Sequence, residues 1–384
     1  MLIEIQVALA KRPARMPFVV LLLGLLAARA TARAELRAPD SAEVCGRCHR
    51  AIHAAWKASA HAKATEDPMF QDALRLAEEQ FGGGARKACL GCHAPVAAMT
   101  GDLVLREKVS WEGVTCDYCH SIRDVTSEAG NAKAKVEFSP VRSGPSRDAS
   151  STVHGTAYSR VHTSSLACAS CHEYKNTRGF PVLTTYTEWK NSPAAQEGRP
   201  CQSCHMYRVE GRVVEPRILR TSDAKVNLHQ MPGSDTLEQL TRTVAANLSV
   251  AREGGQLKVV VSVTNRMAGH YVPTGSPLRQ LVLELKVDSY DGQHFRAERA
   301  YRRAVADEDG KPLDREHIAV FRAARVLSDT RLAPGEKRNE EFAFPVPAGV
   351  SAQVAAAVWY FYSPAPRSGI QKRVTFLTLN RFVP

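Results

Sequence analysis

The chain has 384 residues, 10 cysteines and a formal net charge of +12, a length that accommodates two or three domains with a substantial core. Lys11, Arg12, Arg15, Arg29 and Arg33 stand against Glu4 in the first 34 residues, so the rest of the chain carries about +8, which alone does not call for nucleic acid.

The first segment, MLIEIQVALAKRPAR, sets three basic residues ahead of the apolar run Phe18 to Ala28, and A-x-A patterns follow at Ala28–Ala30 and Ala32–Ala34. The run is shorter than the roughly 18 to 20 residues that span a bilayer, so residues 1–34 are expected to be a secretory signal peptide directing export to the periplasm. Membrane association is expected only if that segment stays uncleaved.

All ten cysteines then fall in pairs two residues apart, and a histidine follows every pair: Cys45/Cys48/His49, Cys89/Cys92/His93, Cys116/Cys119/His120, Cys168/Cys171/His172 and Cys201/Cys204/His205. With 13 histidines in the chain, five such coincidences have a chance on the order of 10⁻⁸ to 10⁻⁷, and C-x-x-C-H is the attachment pattern of haem c. Two cysteines on one helical turn can form thioethers to the porphyrin vinyl groups while the next residue offers an imidazole to the iron. Disulfide and zinc readings leave the obligatory histidine unexplained. Five covalently attached haems are therefore expected, with His49, His93, His120, His172 and His205 as proximal ligands. Their roughly ten propionates offset the basic surplus.

Between the motifs the chain shows no sustained hydrophobic period, so residues 35–235 are read as a pentahaem cytochrome c domain of helices and loops whose core is the cofactors. Residues 65–80 predict a helix stopped by Gly82-Gly83-Gly84. A helix starting at His49 would put His53 and Trp56 on the proximal face and carry His61 too far along the axis to reach its own haem. His53 is then a polar neighbour of the haem, and Trp56 packs on the porphyrin. From about residue 236 the cysteines cease and β-branched alternation begins, with strands expected at 256–265, 281–290, 340–346, 355–363 and 374–382, a hairpin at Asp291-Gly292 and turns at Pro334-Gly335 and Pro364 to Gly369. Residues 236–384 are read as an all-β, immunoglobulin-like sandwich, making the chain a multidomain α + β protein.

CHRAIHAAWKASAHAKA, GVTCDYCH, SSLACASCHEYKN, TYTEWKNSPAAQEGRPCQSCHM and NLHQMPG resemble the multihaem cytochrome c superfamily that includes the tetrahaem electron acceptor of hydroxylamine oxidoreductase. The resemblance covers roughly residues 41–233. It implies distal-ligand roles for His61 and His229, and for His154 and His162, one or both. The stretch TNRMAGHYVPTG resembles the C-terminal sandwich of some multihaem cytochromes and puts His270 in a tight loop able to reach a neighbouring haem. His294 and His317 are expected to face solvent. Met206 follows a proximal histidine and cannot turn to the distal side of that haem, while Met99 and Met231 remain alternative ligands.

His61, His154, His162, His229 and His270 number as many as the irons, which would leave every haem six-coordinate, low in potential and closed to substrate. The leading expectation is an electron-transfer protein working between redox partners, whether other cytochromes or a quinol-linked or substrate oxidoreductase. The alternative is an oxidoreductase acting on a small nitrogen or sulfur species at one five-coordinate haem, with Tyr118, His53 and Arg86 as conceivable cavity residues. A third role, compatible with the first, gives the sandwich the docking of a partner complex.

Overall fold

Each motif lies in or beside a short helix: Ala42–Gly46, Gly84–His93, Cys116–His120, Leu166–His172 and Gln202–His205. Such brief helices have too little apolar face to stand alone, consistent with a domain whose filling is the cofactor. The structure, a computed structural model, describes residues 36–215, 217, 225–233, 235–365 and 369–384. The expected signal segment lies outside them, as does part of the turn at Pro364 to Gly369. Among the described residues no helix is long and apolar enough to cross a membrane.

The helix expected at 65–80 spans Pro68–Phe81. Asp67 caps it by accepting from the Met69 amide at 2.8 Å, and Gly82 ends it at φ 78°, a backbone that favours glycine. The helix after the first motif stops sooner than a run from His49 to His61 requires: it is Arg50–Lys57, with His49 as its N-cap. Turns follow, and the His61 carbonyl accepts from the Val114 amide at 3.0 Å. Gly113 makes that approach possible, since a Cβ there would lie 2.3 Å from the His61 carbonyl oxygen.

The C-terminal part is built of two antiparallel sheets. Gln256–Asn265 is the centre of a three-stranded sheet between Val244–Glu253 and Lys337–Phe344. The other sheet, of five strands, runs Arg325–Asp329, His294–Ala306, Gln280–Ser289, Ala352–Tyr362 and Lys372–Val383. Alternate residues of both sheets, Val259, Val261 and Val263 from one and Leu281, Leu283 and Leu285 from the other, meet in one buried core, the expected result of period-two patterning. The hairpin at Asp291-Gly292 forms, with Gly292 at φ 90°. His294–Ala306 escaped the sequence reading because its outer positions are charged, and Arg325–Asp329 because it is a fully exposed edge.

Residues 36–384 form one compact unit, and the haem-motif part and the β part share a buried boundary. Phe180 and Val182 pack with Val305, Ala319 and Ala323. The Asn176 amide donates to the Ala323 carbonyl at 2.8 Å, and Arg303 donates to the carbonyls of Pro181 and Val182. An ion pair between Glu188 and Arg331, 2.7 Å long, is buried at the same boundary, with both side chains under 10 % exposed.

Candidate haem centres

The expectation that both cysteines of a motif share one helical turn holds within the helices that carry Cys89 and Cys92, Cys116 and Cys119, and Cys168 and Cys171. It needs correction at Cys48, which lies past the end of the helix Ala42–Gly46, in a turn. The physical reason is a long-range bond: the Cys48 carbonyl accepts from the Glu215 amide at 2.8 Å instead of continuing the helix. The amides of Cys48 and His49 still donate to the Cys45 carbonyl at 3.2 and 2.9 Å, so a hydrogen-bonded turn in place of a helix keeps Cys45 and Cys48 together for attachment. At the fifth motif Cys201 is likewise outside its helix, as the N-cap of Gln202–His205.

A metal-binding imidazole presents one nitrogen to the metal and is oriented by a hydrogen bond from the other. That arrangement recurs along the chain. The Nδ1 atoms of His49, His120 and His205 lie 2.6, 2.7 and 2.8 Å from the carbonyls of Val213, Ser143 and Pro232, and His93 bonds the backbone of Ala64. His154, His229 and His270 do likewise toward Gly155, Asn227 and Tyr271 at 3.0, 2.7 and 2.8 Å. The Nδ1 of His61 is 3.1 Å from the Met231 sulfur, so Met231 orients an imidazole. In each ring held through Nδ1, Nδ1–H is the donor and Nε2 keeps its lone pair. Burial pushes His93 and His229 down to about 4 and His172 to about 3, and it also lowers His61, His120, His205 and His270, which keeps these rings neutral and able to bind metal.

Metal–nitrogen bonds of about 2 Å put the ring centres of two imidazoles on opposite sides of one metal roughly 6 Å apart. Four pairs meet that requirement. His49 and His154 are separated by 6.3 Å, His61 and His172 by 6.1 Å, His120 and His229 by 6.4 Å, and His205 and His270 by 6.3 Å. The donor set and its spacing fit an axially ligated haem at these four motifs. The ring planes of His61 and His172 cross at 82°, whereas those of His205 and His270 are inclined by 16°.

The remaining motif histidine, His93, differs. Among the described residues no histidine ring stands at that spacing from it, and Phe70 stacks flat on it at 4.0 Å. His162 lies 5.6 Å from His120, yet its Nε2 sits 2.9 Å from the Cys119 carbonyl and its buried Nδ1 has no partner. The count of one distal histidine per iron therefore does not hold geometrically: His162 and His229 face the same proximal ring. Sequence reasoning missed this because number and chain position carry no information on which ring each histidine opposes.

Other expectations divide. His294 is exposed and pairs with Asp288, but His317 is only 4 % exposed, against the expectation of a solvent-facing residue. The charged flanks Asp314, Arg315 and Glu316 suggested a surface turn, whereas His317 begins a buried helical face with Ile318 and Ala319. Trp56 is buried, donates to the Val114 carbonyl at 2.9 Å and packs beside Cys116, while His53 tilts against its ring. Met99 is 48 % exposed. Of the conceivable cavity residues, Tyr118 lies in an apolar cluster and Arg86 is held by Glu78.

The ten cysteines, Cys48 among them, form no disulfide. Among the described residues no three or more of His, Cys, Asp and Glu gather as one cluster. Sulfurs from different motifs nevertheless meet: Cys45 contacts Cys116, Cys92 contacts Cys171, and Cys168 contacts Cys201. These thiols stand in for the thioethers of the loaded protein, so the contacts show which attachment edges adjoin. Cys119 is in turn close to Cys171. The first motif thus neighbours the third, the third the fourth, and the fourth both the second and the fifth.

Gly269 brings His270 into this array. A Cβ there would lie 2.7 Å from that of Ala194, so glycine lets the β loop close on the haem-motif part. Its Gly-His pair was legible as an unusual loop; the partner His205 was not.

Residues 44–121 match the family profile described as cytochrome c554 and c-prime. A penta-heme cytochrome c552 from Thermochromatium tepidum superposes with a TM-score of 0.72 at 22 % identity, covering 91 % of this chain and 100 % of that one. The protein described as ApaA from Bordetella pertussis matches at a TM-score of 0.17 and 12 % identity, covering 36 % of this chain and 89 % of its own, too low to bear on the fold. No curated protein sequence matches the chain significantly.

Proposed function

We propose that this chain, a multihaem c-type cytochrome, carries electrons in the periplasm through five covalently attached haems, four of them bis-histidine. The observation that carries this reading is the set of four opposed imidazole pairs, 6.1 to 6.4 Å apart. Covalently bound haem supplies a one-electron couple, and the chain's part is to hold its axial ligands, exclude water and set edge-to-edge contact. The sulfur contacts imply a route from the first attachment site through the third to the fourth, branching there to the second and fifth. Such a wire needs redox protein partners at its ends, for which other cytochromes or a quinol-linked or substrate oxidoreductase are suited; nucleic acid has no role. Residues 1–34 act as the export signal, and the C-terminal sheets, in an immunoglobulin-like arrangement, buttress the fifth haem.

The purified protein is expected to contain five haems per chain, four of them low-spin. An all-high-spin spectrum, or fewer than five pyridine haemochromes per chain, would sink this reading. His61→Ala is expected to turn one haem high-spin and to remove the highly anisotropic low-spin electron paramagnetic resonance signal that crossed imidazole planes produce. His162→Ala should leave every iron in its original spin state, because its Nε2 is occupied by a backbone carbonyl. A second reading, that one haem exchanges electrons with a small nitrogen or sulfur species, is favoured by one observation: among the described residues no histidine opposes His93, and Phe70 stacks on it.

A further inference from the structure

The loop that brings His270 to His205 continues into Thr274, Ser276 and Arg279, whose positions the electron route does not explain. The Arg279 charge lies near both His93 and His172, and Glu316 lies near Cys89. Tyr362, Ser276 and Glu316 share hydrogen bonds, and the Arg279 guanidinium lies 5.6 Å from the Tyr362 ring centre. One Arg279 nitrogen donates to the Thr274 carbonyl at 3.2 Å, whereas its Nε is buried without a partner. A buried donor on a cation left unpaired is costly, so it marks a place where an acceptor belongs.

Resting on the second reading above, we propose that Arg279, Tyr362 and Glu316 form a binding site for a small oxygen-bearing anion at the haem held by Cys89, Cys92 and His93. A guanidinium recognises such an anion by charge-assisted hydrogen bonds. Beside it the Tyr362 hydroxyl and the Glu316 carboxyl, joined to Ser276 by hydrogen bonds, give the site further hydrogen-bonding groups. Three elements converge to build it: the loop after Asn265, the start of the helix Glu316–Arg322 and the end of the strand Ala352–Tyr362.

The test uses the oxidised, haem-loaded full chain titrated with nitrite, followed by the high-spin absorbance and by electron paramagnetic resonance. Saturable loss of the high-spin signal is expected, and Arg279→Gln should weaken nitrite binding roughly tenfold or more, the scale of a charge-assisted hydrogen bond, with Arg279→Lys recovering part of it. Tyr362→Phe, which preserves packing, should weaken it a few-fold while leaving the low-spin haems unchanged. Absence of any high-spin haem in the unaltered protein would overturn the second reading and this site together. A high-spin haem whose nitrite affinity is the same in Arg279→Gln and Tyr362→Phe as in the unaltered protein would overturn the site alone. A shifted haem potential with unchanged nitrite affinity would instead make Arg279 a propionate partner, and also overturn it.

Discussion

Replacing His270 by alanine should convert one haem, that of Cys201, Cys204 and His205, from low-spin to high-spin and leave the other low-spin haems untouched. His270 and His205 are 6.3 Å apart with near-parallel rings, and the Nδ1 of each is fixed by a carbonyl, so both Nε2 atoms are committed to the same space. Losing one axial imidazole changes ligand number and water access together. Axial ligation sets haem potential over a range of about 0.8 V, and a shift on the order of 0.1 V or more is expected at this haem by spectroelectrochemistry. The β part should stay folded, because the loop reaches its core of Val259, Val261, Leu281 and Leu283 through Val272 and Ala268 and not through His270. An unaltered spin state in His270→Ala would remove the ligand role and with it the reason for Gly269's close approach to Ala194.

How much of this was legible in the sequence depends on whether a feature is local. The five motifs are local: two sulfurs and an imidazole within five residues state their chemistry outright. Their backbone is less so, since the turn at Cys48 is set by a bond to Glu215, far along the chain. The strands Gln256–Asn265 and Gln280–Ser289 were legible because burial on one face writes a period of two into the residues themselves. The pairing of His61 with His172, separated by more than a hundred residues, is written nowhere locally. The resemblance pointed to His61 as a ligand without saying which iron it serves. His162 and His229 show the converse failure, because both looked eligible and their hydrogen bonds, from the His162 Nε2 to the Cys119 carbonyl and from the His229 Nδ1 to the Asn227 carbonyl, tell them apart. His317 was misplaced because charged neighbours were read as solvent exposure, although Glu316 itself turns inward to Ser276 and Tyr362.

The boundary between the two halves is the other place where long-range contacts decide the outcome, and removing Arg331 should be the most damaging single change to stability. Its guanidinium lies 2.7 Å from Glu188 and binds Asp329 at 2.7 and 2.9 Å. Glu188 also accepts from Thr184 at 2.6 Å, Thr274 at 2.7 Å and the Tyr271 amide at 3.2 Å. Arg331→Ala leaves the Glu188 carboxylate buried without its cation, which costs about 3–5 kcal/mol. Replacing both partners by methionine removes charge and counter-charge together and should recover most of that loss, as substituted buried pairs often do; chemical denaturation of the four proteins of the cycle measures the coupling. The same carboxylate holds the amide next to His270. Arg331→Ala should therefore also raise the high-spin fraction at the fifth haem under conditions where the protein is still folded, an effect that a merely distant stability defect lacks. If the variant lost stability yet kept that haem fully low-spin up to the unfolding transition, the Glu188–Arg331 pair would hold the two halves together without positioning the ligand.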